Sequence, residues 1–219
     1  MEQHRSQILN DLERDALSEL VNLGVGKAAA NLREMVKDEV LLSVPSVTVV
    51  SRAEASLLIN EHETGRLVAI HQRFSGDLKG RALLIFPEAN SLELVRAVTG
   101  GDVPLDDIVD LGQEALSETG NIILNGCLGT IGNMLRRTMQ VSLPEIMRGN
   151  SSELLSLGGD QGYGEAVLFL FINFSLRERA VRGYIAMLMD LPALTSLRDL
   201  LRQYIHRMSD ETDSIHVES

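Results

Sequence analysis

The chain has 219 residues, 44% of them hydrophobic, enough for a real core in one large domain or two small ones. Its formal net charge of −11, from 31 acidic and 20 basic residues, opposes long-range attraction to DNA, RNA or anionic lipid. A single cysteine, Cys127, excludes an internal disulfide and fits a reducing compartment. Met1 to Arg5 has no apolar signal region, and the longest apolar run, Val167 to Ile172, is far too short to span a membrane. The expectation is a soluble cytoplasmic protein without a nucleic-acid or membrane partner.

Residues from about Asn10 to Met35 read as a helix, capped by Asn10 or Asp11, with acidic Asp11 and Glu13 near its start. Gly24 and Gly26 inside it cost about 1 kcal/mol each relative to Ala. They therefore predict a close approach of another backbone, or a kink. Val40 to Val50 is strand-like, with an edge or bulge at Pro45. Ala53 to Ile59 reads as a short helical turn. Arg66 to Phe74 and Gly80 to Phe86 read as strands joined through Ser75, Gly76 and Asp77. Pro87 then opens a helix, Glu88 to Val98, closed by Thr99, Gly100 and Gly101.

The second half repeats this order. A helix is predicted from about Ile108 to Met139, and its five glycines require tight packing or a break near Gly126. Val141 to Ile146 matches the first proline-containing strand. Gly149 to Gly164 reads as a long polar loop with a helical turn at Glu153 to Leu155. Glu165 to Ser175 and Arg182 to Met189 form the next strand pair, with Leu176 to Val181 lengthening their connection. Asp190, Leu191 and Pro192 start an amphipathic helix to about Met208. The acidic segment 209–219 is predicted to be a disordered tail.

One pattern occurs twice. Asp15, Glu19, Asn22 and, after 22 further residues, Pro45 are matched by Glu114, Glu118, Asn121 and Pro144. Glu19 to Glu118, Asn22 to Asn121 and Pro45 to Pro144 are each a step of 99 residues. On a helix, Asp15, Glu19 and Asn22 fall within roughly 60° of arc, since residues three and four apart share a face. Leu17, Leu20, Val21, Gly24 and Ala28 take the opposite side, so the polar trio faces water. Glu114, Glu118, Asn121 and Asn125 line up likewise, against Leu116, Gly120, Ile123 and Cys127. Solvated positions have no packing reason to keep the same side chains at the same spacing. A shared job is the better explanation. The five histidines, by contrast, are scattered without ligand-like spacing.

At these paired segments the sequence resembles the CheC family of bacterial chemotaxis phosphatases. The likeness rests on Glu19 to Ala29 and Glu118 to Asn125 as the two active-site helices, and it extends from roughly Asp11 to Met208. Glu114 departs from the family's usual Asp or Ser by one methylene, and Lys27 stands where Asn is frequent. The resemblance implies a single α+β domain over 1–208, with half-repeats at about 10–101 and 108–208 and pseudo-twofold symmetry. Two long helices would pack on a mainly antiparallel sheet.

It further implies hydrolysis of the aspartyl phosphate on a response-regulator receiver such as CheY. Glu19 and Glu118 would contact a receiver lysine, while Asn22 and Asn121 orient the attacking water. The chain would need no cofactor of its own, since the receiver supplies Mg²⁺. Family members often pair with the receptor deamidase CheD, so that partner is implied as well. The alternative is a non-catalytic chemotaxis or flagellar-switch module sharing the fold. Such scaffolds are expected to lose one or both Glu/Asn pairs or carry a further C-terminal domain, and the expectation here is that both pairs are kept and no such domain follows Met208.

Overall fold

The computed structural model describes residues 8–36, 39–91, 95, 108–156, 166–176 and 179–217, with their side chains except at 36, 108–111, 174–176, 179–182 and 211–217. The element order is α1 (Asp11–Val36), β1 (Val40–Ser51), α2 (Arg52–Asn60), β2 (Leu67–Gly76) and β3 (Gly80–Pro87). There follow α3 (Ile108–Leu135), β4 (Met139–Val141), β5 (Glu145–Gly149), α4 (Ser151–Leu155), β6 (Ala166–Leu176), β7 (Arg179–Met189) and α5 (Leu191–Val217). A helical turn at 88–91 follows β3. Apart from Val95, the rest of the helix expected to Val98, its closing Thr99 to Gly101 and the far part of the loop expected to Gly164 lie outside the described residues.

Among the described residues seven strands form one sheet, in the order β1-β6-β7-β3-β2-β4, with β5 also on β2. Every pairing is antiparallel. The α+β class and mainly antiparallel sheet agree with the sequence. Each edge strand pairs with the other half of the chain, β1 with β6 and β4 and β5 with β2.

Alternation along the strands sorts side chains into two cores. Val68, Ile70 and Leu84 join Leu17, Leu20, Val25, Leu124, Leu128 and Leu197 in the larger one, under α1, α3 and α5. Leu67, Ala69, Phe169 and Tyr184 face the other way, beneath Ala55, Ile59, Leu154 and Leu155 of α2 and α4. A third long helix, α5, thus shares the face expected to hold two. Among the described residues no helix is long and apolar enough to cross a membrane.

α1 starts as its sequence suggests. Asn10 Oδ1 accepts from Glu13 N at 2.8 Å, and Glu13 Oε2 accepts from Asn10 N at 2.8 Å, a reciprocal cap. Glu13 is buried, and its other oxygen accepts from Arg202 of α5 at 2.5 Å.

The two helical glycines of α1 serve different ends. A Cβ on Gly24 would lie 2.7 Å from the Gly126 carbonyl oxygen, and one on Gly126 2.9 Å from that of Gly24. The α1 and α3 backbones therefore touch there, and α3 runs unbroken through Gly126. A Cβ on Gly26 would meet nothing within 4 Å. Gly24→Ala is expected to destabilise by about 1–3 kcal/mol, the range for overpacking. Gly26→Ala should stabilise by about 0.5–1 kcal/mol through helix propensity. Urea midpoints measured for both variants check the pair, and shifts of the same sign would refute it.

Four boundaries differ from expectation. α3 ends at Leu135 because Arg136 turns to φ 55°, which frees Met139 for β4. The region after Gly149 is helical at once, with Asn150 and Glu153 forming a capping box as Ser51 and Glu54 do for α2. The residues read as a longer β6–β7 connection instead lengthen the ladder, which pairs Leu176 with Arg179. α5 continues to Val217, where a disordered tail was expected from Ser209. There Ser209 Oγ donates back to the Ile205 carbonyl at 3.2 Å, and Asp210 lies 3.5 Å from His206 one turn earlier.

Candidate functional site

Proline explains the geometry around both asparagines. It has no N–H for a ladder and holds its predecessor extended. In β1 the register with β6 slips by one residue between Ser43 and Ser46, so Val44 and Pro45 bulge from the sheet. Val44 thereby loses its ladder partner, and Asn22 takes up both of its backbone groups. Asn22 Oδ1 accepts from Val44 N at 2.9 Å, while its Nδ2 donates to Val44 O at 3.1 Å and to Ser18 O at 3.0 Å. The 22-residue spacing is thus the chain length that returns the bulge to Asn22.

The second half builds a variant of this. The strand expected over Val141–Ile146 is divided into β4 and β5 by Ser142, Leu143 and Pro144, and the register on β2 slips by one across the gap. Ser142 ties the bulge to Arg73, donating its N–H to Arg73 O at 2.8 Å and accepting from Arg73 N through Oγ at 3.0 Å. Asn121 does not reach this backbone itself. Gln72, fully buried on β2, stands between, its Nε2 donating to Asn121 Oδ1 at 3.0 Å and to Ser142 O at 2.9 Å. Asn125 Nδ2 also donates to Asn121 Oδ1, at 2.7 Å.

The predicted residues fall where their helix faces require. Asp15, Glu19, Glu114, Glu118 and Asn125 are exposed, and Asn22 and Asn121 are half-buried. Leu17, Leu20, Val21, Gly24, Ala28, Leu116, Gly120, Ile123 and Cys127 are buried. Among the described residues, the carboxylates of Glu19 and Glu118 form no ion pair and accept no hydrogen bond. Each carboxylate is therefore available to an incoming cation. Burial pushes the Cys127 thiol up to about 12, so it stays protonated and is a poor nucleophile. Among the described residues no three His, Cys, Asp or Glu side chains gather as a metal site would need.

Sequence reasoning missed Gln72 and the bulge contacts. A signal existed, since β2 alternation places Gln72 inward with Val68 and Ile70, where a polar side chain needs a purpose. The capping boxes were legible too, because Ser51 to Asn150 and Glu54 to Glu153 are again steps of 99 residues.

Comparison with known proteins agrees with this frame. The CheC-like family profile matches residues 12–49, which carry Asp15, Glu19, Asn22 and Pro45. The flagellar motor switch phosphatase FliY of Bacillus subtilis (strain 168) is 23% identical over 210 residues, covering 94% of this chain and 52% of that protein. The CheY-P phosphatase CheC of the same organism is 26% identical over 143 residues, 63% of this chain and 67% of that one. The chain thus spans about half the length of the first and about two thirds of the second. In fold it is similar to the crystal structure of Thermotoga maritima FliY, with a TM-score of 0.72 at 15% identity, covering 90% of this chain and 98% of that one. By its motif segment and by its fold, the chain resembles the CheC family of chemotaxis phosphatases.

Proposed function

We propose that the chain hydrolyses the aspartyl phosphate of a response-regulator receiver such as CheY, using Glu19 with Asn22 and Glu118 with Asn121. The observation that carries this reading is the arrangement on each helix. An exposed, unpaired glutamate stands one turn from an asparagine whose amide is already fixed by internal hydrogen bonds.

Aspartyl phosphate is an acyl phosphate, whose carboxylate is a good leaving group; the missing ingredient is a water held in line with the leaving oxygen. A neutral amide can hold that water without repelling the phosphoryl oxygens, as a glutamine does in GTPases. A carboxylate at the same point would repel them. It suits instead a lysine on the receiver, which docks the substrate. Water then attacks phosphorus, the P–O bond breaks with its electron pair going to the receiver's carboxylate, and the water's proton passes to a phosphate oxygen or to solvent as inorganic phosphate departs. Fixing both groups on one rigid helix replaces a search by a pre-organised geometry.

Mg²⁺ arrives with the receiver in this scheme. Titration calorimetry of the isolated chain with Mg²⁺ is expected to give no specific heat, and a micromolar site would contradict the borrowed ion. Decay of a phosphorylated receiver, followed with and without the chain, tests the proposal itself. Faster decay supports hydrolysis. Binding to the receiver without faster decay would favour the flagellar-switch alternative, which the length and name of the first relative keep in view.

A further inference from the structure

The two asparagines show opposite ends of their amides to the outside. Both Nδ2 hydrogens of Asn22 are used, on Val44 O and Ser18 O, so only a second lone pair of Oδ1 is left. Asn121 is reversed. Its Oδ1 accepts twice from within, from Gln72 and Asn125, and among the described residues nothing accepts from its Nδ2. The orientation is not arbitrary, because the chain of bonds begins at Ser142 O, a carbonyl that can only accept. Gln72 must turn Nε2 toward it, so its second hydrogen points at Asn121 and demands an oxygen there. The cost is visible at the other end, where Gln72 Oε1 is buried without a partner.

We propose that Gln72 is a positioning residue of the second site, holding Asn121 so that it presents N–H donors, while Asn22 presents an acceptor. This rests on the phosphatase reading for its consequence but not for its geometry. At the first site the amide orders the attacking water by accepting one of its hydrogens. At the second it donates, either to a lone pair of that water or to a phosphoryl oxygen. The sites are then unequal, and Gln72 makes them so. The residue on β6 that lies opposite the first bulge, on the same face of the sheet, is Ile172, which has no donor, and the first site has Val44 in direct contact instead.

Spectra and kinetics of the full chain test the proposal together. In ¹⁵N-labelled protein the Asn121 side-chain NH₂ resonances are assigned by their loss in Asn121→Ala. Gln72→Met keeps roughly the same volume, removes both donors, and is expected to move those resonances. In a Glu19→Lys chain, whose first site is disabled, the same change should lower kcat about tenfold with KM unchanged, less than the 10²-fold that a 1 Å misplacement can cost. If Gln72→Met does not fold, Gln72→Glu keeps the shape, replaces the amide donor by a carboxyl, and should act in the same sense. Unmoved Asn121 resonances overturn the proposal whatever happens to kcat, since Gln72 would not then act through Asn121. Moved resonances with unchanged kcat and raised KM overturn its positioning role. If the wild-type chain fails to hasten receiver decay, the phosphatase reading falls, and the resonances alone decide the orientation.

Discussion

In a chain whose first site is disabled by Glu19→Lys, Asn121→Ala is expected to lower kcat by about 10²-fold or more, with little change in KM. That is the size of effect seen when one pre-organised polar group is removed from an active site. Glu118→Ala in the same background should chiefly raise KM. The difference follows from when each contact exists. A carboxylate that holds the receiver's lysine does so in the ground-state complex and in the transition state alike, so its loss is a loss of uniform binding. An amide that holds the water contributes at the moment of attack. Glu19→Lys disables the first site by setting a like charge against the receiver's lysine, which blocks docking there, and it spares the fold because Glu19 is exposed and bonded to nothing among the described residues. Steady-state kinetics against receiver concentration separate the two, and equal falls in kcat at unchanged KM would refute the division of labour.

Asn22→Ala should be the most destabilising of the four site substitutions, by about 1–3 kcal/mol, the cost of leaving buried polar backbone unpaired. Val44 is buried, and Asn22 satisfies both its N–H and its C=O at the point where the β1 ladder slips. Alanine there removes both partners at once. Glu19→Ala and Glu118→Ala touch only solvent and should stay within about 0.5 kcal/mol of wild type. Asn121→Ala falls between, since it strands one hydrogen of Gln72, whose Oε1 is already buried without a partner. Thermal or denaturant melts of the four variants give the ranking, and an Asn22→Ala melt coincident with that of Glu19→Ala would contradict the role given to the bulge.

The two asparagines thus have structural work as well as the chemistry proposed for them. That double duty explains how much of the site could be read from sequence. The helix faces were legible because burial follows the 3.6-residue period, and Leu17, Leu20, Val21 and Ala28 fill one stripe. Pro45 and Pro144 announced edges or bulges, and both edge strands do slip by one residue there. What could not be read was that the bulge reaches back to the asparagine, since a contact between residues 22 apart leaves no periodic trace. The direct bond to Val44 and the detour through Gln72 differ by one side chain on a third strand. Identical spacing in the two halves conceals that difference. The α5 extension to Val217 has a related reason, because an acidic, polar composition does not distinguish a disordered tail from the last turns of an exposed helix.

Whether Asn22 and Asn121 make this chain a phosphatase toward a phosphorylated receiver is decided by following one preparation of that receiver, with Mg²⁺ present, alongside equal amounts of wild type and Asn22→Ala/Asn121→Ala. Circular dichroism at the assay temperature must show both proteins folded. Wild type is expected to hasten decay, either single variant to retain part of that effect, and the double variant to leave decay at the receiver's own rate. A folded double variant that hastens decay as well as wild type would contradict the claim.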